Sequence, residues 1–175
     1  VTGHFGAVEF MPLALHLRHY PVSMVVSFHS EKLKQSLNNR ALEGDVELID
    51  GHGKDILKQI VSALKRGRIV VTECDEVDAW KTKGNMTIDA FGGKIRMDRT
   101  LDIICRRSRA TVLGSFMLRT PKGYQLTICP LGDEQKSNGE LIFTMTLKKL
   151  ENFVMQFPDQ WYQWKKFHKM RPEFA

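Results

Sequence analysis

The spacing of apolar residues changes its period several times along the chain. Residues 21–28 run mostly apolar (Val22, Met24, Val25, Val26, Phe28) and predict a strand. Residues 31–42 are polar, with Leu33 and Leu37 at helical spacing, and predict a surface helix. Residues 46–50 form a short strand that stops at Gly51-His52-Gly53. Leu57, Ile60, Val61 and Leu64 then fall at i, i+3, i+4 and i+7, the apolar stripe of an amphipathic helix. Arg66-Gly67 closes that helix with a basic last turn and a glycine stop. Residues 69–74 follow as a buried-type strand. Strand, helix and strand in this order make a βαβ unit, and hence parallel strands with helices packed on them. Further on, Thr120-Pro121-Lys122-Gly123 separates two strand-like runs, 111–119 and 124–129, as the turn of a hairpin. Leu147, Leu150, Val154 and Phe157 give a last amphipathic helix before Pro158. The fold class expected is α/β, with a mixed, largely parallel sheet and helices packed on it. Ligands of such sheets gather at the carboxyl ends of strands, which suits Asp75 after the strand at 69–74.

Candidate chemistry is concentrated at the start, in Val1-Thr2-Gly3-His4-Phe5-Gly6-Ala7-Val8-Glu9. A histidine five residues before a carboxylate supplies a base and an acid partner able to hold it in one tautomer, as transfer of an acyl group to a hydroxyl requires. On a continuous helix the two side chains would point about 140° apart. They converge only if His4 lies on the loop before a helix and Glu9 in its first turn. Gly6 gives the backbone freedom for the bend, and a carboxylate is favoured at a helix N-terminus. Pro12 fits an early helical position, where N–H groups lack intrahelical acceptors. A histidine satisfied beside a first-turn glutamate has the same spacing.

Composition narrows the alternatives. The 175 residues make one ordinary domain, 42% hydrophobic and 26% charged, without repeats or low-complexity tracts. No apolar run reaches the roughly 20 residues that span a bilayer. Cys74, Cys105 and Cys129 form no C-x2-C pair, so reduced thiols are the default and no metal site or cofactor is expected. Cys74 lies beside Asp75, whose charge would keep a thiol protonated and unreactive. Gly51-His52-Gly53-Lys54 lacks the first glycine and the Ser/Thr of a phosphate loop. His16, His19, His29, His52 and His168 form no convergent cluster in the sequence. The net charge of +6 implies an acidic partner. Near the end, Trp161, Tyr162 and Trp164 precede Lys165, Lys166, Lys169 and Arg171. Rings beside cations fit a membrane interface, a single-stranded nucleic acid, or a structural helix with a solvated basic face. Arg106, Arg107 and Arg109 suit a solvated helix end or a dock for an acidic carrier protein.

Gly3-His4-Phe5-Gly6 with Glu9 resembles the opening block of the bacterial lipid A secondary (late) acyltransferases, members of the H-x4-D/E superfamily that includes the lysophospholipid acyltransferases. Ala63-Leu64-Lys65-Arg66-Gly67 through Val71 and Asp75 resembles a second block, Phe91-Gly92-Gly93 a third, and Phe157-Pro158-Asp159-Gln160-Trp161-Tyr162-Gln163-Trp164 with Arg171-Pro172 the closing one. The order of the four blocks is the family's, across nearly the whole chain. Departures stand at Ala7-Val8 (Asn-Trp in the family), Asp75-Glu76 (Asp-Gln) and Ala90-Phe91-Gly92 (Phe-Phe-Gly). The resemblance implies a glycerol-3-phosphate-acyltransferase-like fold in a single domain over 1–175, lacking the family's N-terminal membrane-anchoring portion. It implies an O-acyltransferase at the cytoplasmic face of the bacterial inner membrane, with acyl carrier protein as donor and a lipid or glycolipid hydroxyl, such as that of a lipid A precursor, as acceptor. His4 and Glu9 are the catalytic residues it implies, and Arg40 and Asp75 match recurring polar positions that rank as substrate-binding candidates. No nucleic acid is expected as a partner on this reading. The alternative is a non-catalytic basic and aromatic module that binds single strands or a membrane surface.

Overall fold

The computed structural model describes residues 1–28, 30–80, 86–131 and 141–172. His29 lies outside the described residues. A 3-10 turn, Val8–Phe10, leads into α1 (Met11–His16) with Pro12 in its first turn, as its missing N–H allows. The following elements are β1 (Val22–Val26), α2 (Glu31–Glu43), β2 (Glu47–Asp50), α3 (Ile56–Lys65) and β3 (Ile69–Val71). β1 is central and pairs in parallel with β2 (Val25 opposite Ile49) and β3 (Met24 opposite Val71). This is the βαβ arrangement expected from the apolar pattern. Met11 and Leu15 of α1 pack with Val22 and Val71 in one cluster, and Ile60 and Ala63 of α3 pack with Ile49 in another.

The rest of the strand content is antiparallel, so the sheets are mixed and not largely parallel. β4 (Thr87–Ala90) and β5 (Gly93–Arg96) form one two-stranded hairpin, and β6 (Leu113–Thr120) and β7 (Gly123–Pro130) a longer one. Both are closed by turns too short for a parallel crossover. The apolar pattern does not predict the β4–β5 hairpin, because each strand carries a single large apolar residue, Ile88 or Ile95. α4 (Thr100–Ser108) lies between the hairpins, and Arg106 and Arg107 are its basic last turn.

α5 (Ile142–Gln156) organises the main core. Phe143, Leu147, Leu150 and Val154 repeat at three- and four-residue spacing and are buried together with Phe5, Ile95, Phe116, Trp161 and Met170. Pro158 ends the helix, and 3-10 turns Pro158–Gln160 and Tyr162–Lys166 lead to the short α6 (Phe167–Met170). The chain start stitches the layers together. Thr2 donates its N–H to Thr72 and accepts from Cys74, extending the β3 edge, while Ser115 of β6 donates to the carbonyl of Val1. Residues 1–7 thereby lie between the parallel sheet and the β6–β7 hairpin.

Candidate active site

The loop carrying His4 is fixed on both sides. Phe5 is fully buried and meets Phe116 and Phe153 edge-on, at ring separations of 6.2 and 5.9 Å. Gly6 has φ +61, and a Cβ there would stand 1.9 Å from the carbonyl oxygen of Met117. No side chain fits that approach, so the bend into the 3-10 turn requires glycine. Gly6 and Ala7 donate to the carbonyls of Gln160 and Met117, both at 2.8 Å, and the carbonyl of His4 accepts from the Tyr162 N–H. The Tyr162 hydroxyl also donates to the Gly6 carbonyl.

The His4 side chain, about one quarter exposed, stands against Asp75. Its Nδ1 is 2.9 Å from Asp75 Oδ1, and its backbone N–H donates to both carboxylate oxygens at 3.0 Å. Trp161 Nε1 donates to Asp75 Oδ2 at 2.8 Å. Asp75 is fully buried, and these donors replace the water it has given up. The amide of Gln163 lies 3.1 Å from the same Nδ1. A carboxylate only accepts, so Nδ1 carries the proton, and in the neutral ring Nε2 keeps the lone pair. Nε2 stands 3.6 Å from Glu76 Oε2. Burial works against the imidazolium, but the hydrogen bond to Asp75 and the charges of Asp75, Glu73 and Glu76 outweigh it, raising the His4 pKa from 6.5 to about 9. Burial pushes the Glu73 carboxyl the same way, from 4.5 to about 7, against the pull of His4.

His4 opens on a cavity of about 590 Å³. Its walls are mainly apolar: Val8, Phe10 and Leu13 from the α1 side, Met24 and Val26 from β1, and Leu37 and Ala41 from α2. Glu9, Ser27, Glu73 and Glu76 are its other polar members. A smaller cavity, about 120 Å³, shares Val25, Ser27, Glu73 and Glu76 with it and extends toward Trp80 and Phe143. A mostly apolar cleft with a few convergent polar groups, one a histidine with a shifted pKa, is the physical form of a catalytic pocket.

The sequence-derived candidates are divided by this geometry. His4 and Asp75 are brought into contact. Glu9 lines the same cavity, but its carboxylate meets the Arg119 guanidinium at 3.1 Å. Asp75 therefore occupies the position beside His4 that the spacing suggested for Glu9. Arg40 falls within the span of α2, with its side chain outside the described residues. Trp161, Gln163, Glu73, Glu76 and Arg119 were not singled out as site residues. Trp161 and Gln163 lie in the closing sequence block, and that block was the one available signal for them. The reactive-thiol reading of Cys74 is disfavoured further, since burial and the charge of Asp75 push its pKa well above the ordinary thiol value.

The family model of the bacterial lipid A biosynthesis acyltransferases matches residues 1–169. The chain belongs to this family. No curated protein matches it. As a lipid A biosynthesis acyltransferase it works on a lipid A-type acceptor. The closing block packs against the His4–Asp75 pair through Trp161 and Gln163. Trp161 is 2% exposed, stacks on Phe91 at 5.0 Å and holds Asp75. Two of the block's basic neighbours, Lys166 and Lys169, bind Asp78 at 2.7 and 2.9 Å and draw its carboxyl down to about 2.

Proposed function

We propose that this acyltransferase moves a fatty acyl chain from the thioester of acyl carrier protein directly to a hydroxyl of a lipid A precursor or related glycolipid. The single observation carrying the mechanism is the Nδ1 contact of His4 with buried Asp75, which leaves Nε2 directed at the proton to be taken. Nε2 of the neutral ring removes the acceptor hydroxyl proton as the oxygen attacks the thioester carbonyl. Asp75 keeps the tautomer and stabilises the imidazolium that forms. Collapse of the tetrahedral intermediate breaks the C–S bond, and the imidazolium returns its proton to the departing thiolate. The apolar walls of the large cavity suit the acyl chain. Glu9, which lines the cavity, holds Arg119, a cation able to meet a phosphate of the donor or the acceptor. The same reading places the protein at the cytoplasmic face of the inner membrane, where a soluble donor meets a lipid acceptor. No helix among the described residues is long and apolar enough to cross a membrane.

Transfer of radiolabelled acyl groups from acyl carrier protein to a detergent-dispersed lipid A precursor tests the reading. His4→Ala should lower the rate by about 10²-fold or more, the usual scale for removing a general base. Transfer unchanged in that variant removes His4 from the mechanism. Coenzyme A thioesters serving as well as the carrier protein would replace the donor assignment.

A further inference from the structure

The exposed apolar residues are not scattered evenly. Phe10, Leu13 and Leu17, at i, i+3 and i+7, share one face of α1 and its ends, and they are 40%, 44% and 68% exposed. Tyr20 follows at 49%, and Tyr124, at the start of β7, is 60% exposed and stacks on Phe10 at 5.0 Å. Hairpin and helix thus present one continuous surface of large apolar and aromatic side chains. A contiguous apolar face of this kind marks a binding surface, whereas single exposed residues do not.

Two observations identify its partner. Residues 10–21 and 113–130 contain Arg18, Arg119, Lys122, His16 and His19, and no aspartate or glutamate. The neighbouring carboxylate, Glu9, is held by Arg119 at 3.1 Å. Rings and aliphatic groups interspersed with cations, without carboxylates, match an anionic lipid surface. In addition, Phe10 and Leu13 belong to both this face and the wall of the His4 cavity. The face is the rim of the cavity, so a lipid leaving a bilayer through it arrives at the imidazole without crossing water.

We propose that the outer face of α1, with the tip of the β6–β7 hairpin, rests on an anionic lipid surface and opens the His4 cavity toward it. This deepens the acyltransferase reading and rests on it for the identity of the cavity. The closing aromatic segment, which the sequence also offered to a membrane, is divided: Trp161 is buried and Lys166 and Lys169 are bound to Asp78, while Tyr162 and Trp164 are 45% and 46% exposed.

The test is co-sedimentation of the 175-residue chain with phosphatidylcholine vesicles, with and without phosphatidylglycerol, beside transfer measured on a detergent-dispersed acceptor. Parent protein should sediment with the phosphatidylglycerol vesicles, less so in added salt. Leu17→Glu with Tyr124→Glu should reduce that binding about tenfold or more, since each change withdraws a large apolar group from the interface. Arg18→Gln with Lys122→Gln should cost about fivefold per cation and remove the preference for phosphatidylglycerol. Both pairs should keep the parent melting temperature and the parent rate in detergent. A parent that ignores both kinds of vesicle overturns the proposal. So does loss of binding in Trp164→Ser with Lys165→Gln but in neither of the first two pairs. A parent dimer converted to monomer by Leu17→Glu and Tyr124→Glu also overturns it, assigning the face to a second copy of this chain. Failure of transfer in detergent with vesicle binding intact strikes the catalytic reading alone.

Discussion

His4 is held between carboxylates, Asp75 at Nδ1 and Glu76 near Nε2, and this decides its titration. With a pKa of about 9 His4 is mostly imidazolium at neutral pH, and only the minor neutral fraction can act as base. kcat/KM for transfer should therefore rise about tenfold per pH unit from neutrality and level off as pH passes the His4 pKa. Asp75→Asn removes the charge while keeping the shape. It should move that limb to lower pH, reduce kcat at least about 10²-fold, and destabilise the fold by about 3 kcal/mol, because an amide meets donors that a carboxylate satisfied. Glu9→Gln provides the contrast. Its partner is Arg119, so the pH limb should stay in place while KM rises more than kcat falls. A limb displaced by Glu9→Gln as far as by Asp75→Asn would return the orienting role to Glu9. The pH dependence of single-turnover rates checks both.

At the scale of the element, the loop from Thr2 to Ala7 is as constrained as a strand, although residues 3–7 belong to none of the named strands. Gly6→Ala should be the most damaging added methyl among the described glycines. It combines a left-handed backbone with a Cβ driven into the Met117 carbonyl, and should lower stability by about 3 kcal/mol or more. Gly67→Ala, at φ +79 with open space around it, meets only the backbone penalty of about 1 kcal/mol. Thermal melts of the two variants separate close approach from conformational preference. In α5, Leu147→Ala removes a fully buried side chain and should cost about 2–5 kcal/mol without moving the His4 pH limb.

For the whole molecule, the site weighs on stability. Burial raises the Glu73 pKa from 4.5 to about 7, so between these values the folded protein holds a proton that the unfolded chain releases. Protons bound in excess by the folded state mean that stability falls as pH rises through that window. His4 has the same sign in the next window: its contribution is complete below 6.5 and is lost as pH rises through about 9. Glu73→Gln should flatten the decline in melting temperature between pH 5 and pH 7, relative to the parent. A decline of equal depth in the variant would mean that Glu73 does not titrate there. Such a cost is the expected consequence of gathering acidic groups around one histidine, a local arrangement that the surrounding core must stabilise.

Periodicity in the sequence determined α3, α5 and the parallel strands, because each buries one face and its apolar spacing records which, and Thr120-Pro121-Lys122-Gly123 marked the β6–β7 turn. The H-x4-E spacing, with Gly6 between, was sufficient to single out the cavity histidine, His4. Its partner was decided by tertiary structure. Glu9 and Asp75 are both carboxylates near the right element ends, and nothing in their neighbours distinguishes the one that will lose its water. Asp75 meets His4 because Thr2 pairs beside β3 and Trp161 closes over it, contacts between residues far apart in the sequence. The β4–β5 hairpin was likewise hidden, since its strands carry one large apolar residue each, Ile88 and Ile95, too few to show a period. The basic residues of the closing segment could not be divided from sequence into bound and free, because Asp78, which holds Lys166 and Lys169, is brought to them only by the fold. Local spacing thus fixes which face of each element is buried, while long-range contacts choose among chemically equivalent side chains.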